Sequence, residues 1–163
     1  MLRFISGFRL ALLCVAFLAI AGCSKKNTPV LDASGGSATP GSVAEFQTVV
    51  GDRIYFLVDQ SSLTSEAQDT LSKQAEWLKR YSNVSVQVEG HADERGTREY
   101  NIALSARRAT VTREFLVAQG IEPNRITTIA FGKERPVALC DAESCWSQNR
   151  RAVTVVTSGA VTQ

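Results

Sequence analysis

Val84, Val86 and Val88 alternate with Ser85, Gln87 and Glu89, a strict period of two that fits a strand with one buried and one polar face. Such a strand needs an apolar layer over one side, and the flanking segments can supply it. The β-branched and aromatic run Arg53-Ile-Tyr-Phe-Leu-Val58 reads as a second strand. Thr64 can cap the helix that follows, with Glu66 in its first turn, Leu71, Ala75 and Leu78 as its apolar stripe, and Lys79 and Arg80 at its negative end. Phe46, Val49 and Val50 make a short amphipathic turn before Gly51.

After a polar loop over 91–96, Thr97 caps a longer helix, with Glu99 near its start and Tyr100, Leu104, Val111 and Phe115 on one apolar face. Gly120 as the left-handed residue past its end makes Leu116 and Ile121 the hydrophobic pair of a Schellman stop, and Pro123 prevents continuation. Two more strands are expected at 126–131 and 152–157, separated by an irregular stretch holding Pro136, Cys140 and Cys145. The order strand-helix-strand-helix-strand-strand predicts helices packed on one face of a four-stranded sheet.

The 163 residues carry 18 basic and 16 acidic side chains. Arg3 and Arg9 account for the excess, so the rest of the chain is neutral. A nucleic-acid binder needs a concentrated positive face, and none is expected here. Those two arginines precede the apolar run 10–21, which has the length of a signal-peptide core and is well short of the roughly 20 residues of a membrane span. Ile20-Ala21-Gly22-Cys23 then resembles the lipobox of bacterial lipoproteins, in which the cysteine is acylated and becomes the mature N-terminus. Several acyl chains hold firmly where one holds marginally. Ser24 after the cysteine, by the same resemblance, favours sorting to the outer membrane.

The expected organisation is a leader over 1–22, a lipidated N-terminus and flexible tether over 23–42, and a domain over 43–163. The tether's Ser, Gly, Thr, Pro and Ala content, without sustained periodicity, reads as disorder. It would reach roughly 25 Å on average and about 65 Å when taut.

The densest chemistry is Gly90-His-Ala-Asp-Glu-Arg-Gly-Thr97, followed by Asn101, Leu104-Ser105 and Arg107-Arg108-Ala109. This pattern resembles the peptidoglycan-associated lipoproteins, the lipidated branch of the OmpA-like domains. Val50-Gly-Asp-Arg-Ile-Tyr-Phe56 with Asp59, Phe131-Gly-Lys-Glu-Arg-Pro136 and Gln148-Asn-Arg-Arg-Ala152 extend the resemblance over about 43–157. It implies an α+β, two-layer fold with a four-stranded mixed sheet. It also implies non-covalent binding of peptidoglycan through the meso-diaminopimelate of the stem peptide.

The key pair implied is Asp93 and Arg108, whose chemistry suits a zwitterion. A carboxylate accepts from the ammonium, and a guanidinium fork holds the carboxylate. Further family contacts map onto Val58, Asp59, Glu94, Arg95, Thr97, Asn101 and Leu104. Val58 stands where the family commonly has phenylalanine. The partners implied are TolB and other Tol proteins, in a system coupling the outer membrane to the cell wall during division.

Other readings of the same residues remain open. Asp93 and Arg108 also fit a structural ion pair. One histidine beside two carboxylates is a weak ligand set, so neither metal nor cofactor is expected. His91 reads as a histidine bonded to backbone at a strand end, and Arg107 and Arg113 as a solvated face. A periplasmic wall hydrolase using His91, Asp93 or Glu94 is the rival function, but Glu94 lacks an evident second carboxylate. Cys140 and Cys145, left after Cys14 departs with the leader and Cys23 is acylated, can form a disulfide in an oxidising compartment. Cys23→Ser is expected to block acylation, so that intact-mass analysis finds no acyl mass on the chain.

Overall fold

The computed structural model describes residues 38–161; the leader, Cys23 and most of the tether lie outside the described residues. Four strands form one mixed sheet in the order β1-β4-β2-β3. They are β1 (Arg53–Tyr55), β2 (Ser85–Gly90), β3 (Ile126–Ala130) and β4 (Arg151–Ser158). β4 is antiparallel to β1 and β2, whereas β2 and β3 are parallel. A parallel pair requires a crossover, and the helix α3 (Arg98–Ala118) makes it. Helix α2 (Ser65–Arg80) joins β1 to β2.

Val86 and Val88 of β2 are buried at 1% and 0% exposure, while Ser85, Gln87 and Glu89 are only half-buried, so the alternation sets the inner face. The core joins this face to Ile54, Ala152 and Ile126 from the other strands, and to Leu71, Ala75, Leu78, Ala109 and Leu116 from the helices. Thr64 and Thr97 cap α2 and α3 by accepting from the backbone N–H three residues on, at 3.2 Å in each case. The Schellman stop is present. Ile121 N–H donates to Leu116 and Gly120 N–H to Val117, with Gly120 at φ 95° and both apolar partners buried.

Four details depart from expectation. The run at 53–58 pairs only as far as Tyr55, because the chain then leaves the sheet to form a loop with Leu57 and Val58 exposed. The turn at 46–50 is the short helix α1 (Val43–Glu45) continuing as π-helical turns over Phe46–Gly51. Ser42, expected in the tether, is buried, caps α1 and bridges to Val161, so packing begins a little before residue 43. The stretch at 132–151 holds a further helix, α4 (Glu143–Asn149), which lacks an apolar stripe and a side-chain cap to announce it.

The apolar face expected for α3 is also different. Its buried positions are Asn101, Leu104, Ser105, Arg108, Ala109, Thr112 and Leu116, while Tyr100 is 44% exposed. The reason is close approach. A Cβ on Gly90 would sit 1.9 Å from the Ser105 carbonyl oxygen and 3.3 Å from Ala109 Cβ, so the helix meets β2 through small residues. Gly90→Ala is therefore expected to lower stability by about 3 kcal/mol, measured by urea unfolding, since backbone rather than a flexible side chain would have to move.

Candidate functional site

The loop after β1 and the loop between β2 and α3 lie side by side and form a cleft of about 340 Å³. Val58, Asp59, Asp93, Arg95, Gly96, Tyr100, Asn101, Leu104 and Arg108 line it. The guanidinium of Arg108 closes it from α3. Arg108 is fully buried and donates to three carbonyl oxygens: Nε to Gln60 at 2.9 Å, Nη1 to His91 at 2.8 Å and Nη2 to Leu57 at 3.2 Å. Those contacts tie the two loops together. Two of its five N–H groups remain, one on each terminal nitrogen.

Burial lowers the Arg108 pKa to about 10, and Arg150 adds to this while Asp93 and Asp59 oppose it. The group thus stays charged at neutral pH. Among the described residues no carboxylate forms an ion pair with it. The direct Asp93–Arg108 bridge considered from the sequence is absent.

Asp93 is instead held by two other arginines. Arg95 Nη2 lies 2.7 Å and Arg150 Nη1 3.2 Å from its Oδ2, while the Arg95 N–H donates to Oδ1 at 3.2 Å. Burial works against the charged form, but the hydrogen bonds from Arg95 and Arg150 hold the Asp93 carboxyl below the usual carboxylate range. Arg150 is itself buried and reaches Glu143 and the Phe56 carbonyl. Glu143, Arg150, Asp93 and Arg95 form one chain of alternating charge.

The other expected residues fall into two groups. Leu104 is a buried apolar wall, and Asn101 Nδ2 donates to the Arg95 carbonyl at 2.8 Å, fixing the loop. Asp59 adopts a left-handed φ of 58°, uncommon outside glycine, and its carboxylate accepts from the Tyr100 hydroxyl. Val58 lines the cleft at 50% exposure. Glu94 and Thr97 do not line it. Glu94 accepts from Trp146 Nε1 at 2.9 Å, and Thr97 is the α3 cap.

Sequence reasoning missed Tyr100, Gly96, Arg150 and Trp146. Arg150 stood within the quoted Gln148-Asn-Arg-Arg-Ala152 motif, so its signal was present without a role. Tyr100, expected on the apolar face of α3, instead turns its hydroxyl to Asp59 at the cleft.

Arg113 is half-buried rather than solvated, donating to the Ile126 and Pro123 carbonyls. The His91 backbone is bonded on both sides, but its ring is not: neither nitrogen has a partner among the described residues. The ring stacks on Phe131 with centroids 5.4 Å apart, and Glu89 Oε2 lies 3.6 Å from Nε2. The described residues hold no cluster of three or more side chains able to bind a metal ion.

Residues 55–151 match the OmpA family. A peptidoglycan-associated lipoprotein of Brucella melitensis is 60% identical over 144 residues, covering 85% of this chain and 86% of the relative. The chain belongs to the OmpA family, in its branch of peptidoglycan-associated lipoproteins. A Pseudomonas aeruginosa member is 39% identical over 160 residues, covering 88% of this chain and 93% of that one. The crystal structure of the Burkholderia pseudomallei member superposes with a TM-score of 0.64 at 38% identity, over 65% of this chain and 90% of that one. The C-terminal domain of Helicobacter pylori MotB, 19% identical, shares the fold at a TM-score of 0.62.

Burial lowers the His91 pKa to about 3, with Arg151 and Arg135 adding to the effect. A base whose folded pKa lies below its unfolded value, about 6.5, gains a proton on unfolding. Its contribution is complete above pH 6.5 and declines as pH falls towards 3, by at most about 1.4 kcal/mol per pH unit. NMR titration is expected to find the ring neutral at pH 4.5, and His91→Phe is expected to flatten the acid limb of the stability curve.

Proposed function

We propose that the cleft binds peptidoglycan non-covalently through the meso-diaminopimelate of the stem peptide, with no chemical turnover. The observation that carries this reading is Arg108, a buried cation lacking a carboxylate partner among the described residues, beside Asp93 in one cleft. A group carrying an amine and a carboxylate on one carbon suits this arrangement, because each pole meets the opposite charge. The guanidinium's two spare N–H groups can hold the carboxylate, and Asp93 and Asp59 offer oxygens to the ammonium. The relatives' names associate them with peptidoglycan, which supports the coarser part of this reading.

On this reading the acylated Cys23 sits in the outer membrane, and the tether lets the domain over 43–163 reach the wall. TolB and other Tol proteins are the partners, competing with the wall for an overlapping surface. The chain is then a tether between membrane and wall rather than a hydrolase.

The test is cosedimentation of the processed chain with intact sacculi. Wild type is expected to pellet without releasing soluble fragments, and a soluble muropeptide containing meso-diaminopimelate is expected to compete. Release of fragments would support the hydrolase instead. Asp93→Ala is expected to weaken binding by roughly 30-fold to several-thousand-fold, as removal of one partner from a desolvated charge pair does. Arg108→Lys keeps the charge but not the three-way backbone grip, and is expected to lose both affinity and some stability. A folded Asp93→Ala chain that pellets like wild type would show the site to be elsewhere.

A further inference from the structure

α4 is a helix with little intrinsic reason to exist. It has seven residues, its N-cap is Ala142, and no side chain caps it. A helix this short is far below the length at which one is stable alone, and alanine is among the poorer capping residues. A covalent bond stands where a cap would be. Cys145, in the first turn, is joined to Cys140, two residues before the N-cap, with Cα atoms 5.6 Å apart. At the other end, the Asn149 amide accepts from the Val137 and Ala138 N–H groups and donates to the Ala138 carbonyl.

The side chains of this stapled helix converge on residues 93–95. Glu143 binds Arg150, whose Nη1 donates to Asp93. Trp146 donates to Glu94 Oε1, and its ring lies 4.2 Å from the guanidinium of Arg95, which also binds Asp93. The loop therefore leans on α4 through three contacts, one by way of Glu143 inside the bridged segment and two from Trp146, the residue after Cys145.

Resting on the peptidoglycan reading above, we infer that Cys140–Cys145 sets wall affinity. The bridge holds α4, α4 holds the Asp93 loop in its binding geometry, and Trp146 and Glu143 are positioning residues. Reduction by a dithiol breaks the S–S bond, leaves two thiols on the chain and closes the reductant into its own cyclic disulfide. The freed first turn of α4 then frays and Asp93 loses its support, while the core is untouched because none of its residues belongs to α4.

The experiment measures binding of a soluble muropeptide carrying meso-diaminopimelate to the processed chain, oxidised and after dithiothreitol. Reduction is expected to weaken binding roughly three- to tenfold with circular dichroism and urea unfolding little changed, and reoxidation to restore it. Cys140→Ser with Cys145→Ser is expected to bind at the weaker level whether or not reductant is present. Trp146→Ala should be weak as well, with Trp146→Phe partly rescued because a ring remains under Arg95.

Linkage supplies a readout that a purely structural bridge would not move. If the oxidised form binds more tightly, saturating muropeptide must make the disulfide harder to reduce by the same factor. The midpoint potential should then become about 15 to 30 mV more negative, since tenfold is about 30 mV for a two-electron couple. A folded, reduced chain that binds like the oxidised one, with a potential indifferent to muropeptide, overturns the inference. So does global unfolding on reduction, because the bridge would then hold the domain and not the loop. Failure of the peptidoglycan reading looks different: the oxidised wild type itself binds neither muropeptide nor sacculi, and the inference falls with it.

Discussion

A guanidinium at the junction of two loops stays charged there only if most of its edge is hydrogen-bonded. Arg108 meets that condition with carbonyl oxygens rather than carboxylates, from Leu57 and Gln60 on one loop and His91 on the other. Neutral acceptors satisfy the donors without cancelling the charge. One side chain thus fixes the spacing of the two cleft walls and leaves a positive centre between them. Removing it would take away both the floor and the fastening. The floor in turn depends on α3 reaching the sheet closely, which the missing side chain at Gly90 permits.

Around that centre the charges alternate: Glu143, Arg150, Asp93, Arg95. The buried members, Asp93 and Arg150, are each flanked by partners of opposite sign, which limits the cost of keeping them from water. Further hydrogen bonds to backbone carbonyls steady the loop. Asn101 and Lys133 bond the loop carbonyls of Arg95, Glu94 and Gly96. The loop is thereby held from α3, from the turn after β3 and from α4. Binding groups on a loop need such support, because backbone outside regular structure has few bonds of its own to keep it in place.

What could be read from the sequence was local. The alternation of β2, the caps at Thr64 and Thr97, and the Leu116–Ile121 stop each involve residues a few positions apart, and all are present in the fold. Seven of the nine residues that the resemblance marked around the loop line the cleft: Val58, Asp59, Asp93, Arg95, Asn101, Leu104 and Arg108. The parts that escaped depend on distant neighbours. Arg150 meets Asp93 across 57 positions and Trp146 meets Glu94 across 52. Helix α4 carries no periodic signal because it has no apolar stripe; a disulfide and the Asn149 hydrogen bonds stand at its two ends instead. The polar inner face of α3 escapes for a related reason: buried Ser105 and Thr112 bond nearby backbone carbonyls, and a hydrophobic count cannot register that.

The bonding of Asp93 bears on how any cation could bind there. Its two oxygens already accept four hydrogen bonds, from the Arg95 backbone and side chain and from Arg150, which fills the four or so positions a carboxylate offers. An incoming ammonium must exchange with one of these donors rather than add to them. Arg150 is 5% exposed and is also held by Glu143 and the Phe56 carbonyl, so it is fixed in place. Arg95 is 40% exposed, so of the two it is the donor with room to turn toward water. Exchange keeps the Asp93 carboxylate paired with a cation both before and after binding. On the peptidoglycan reading, such an exchange makes the grip reversible.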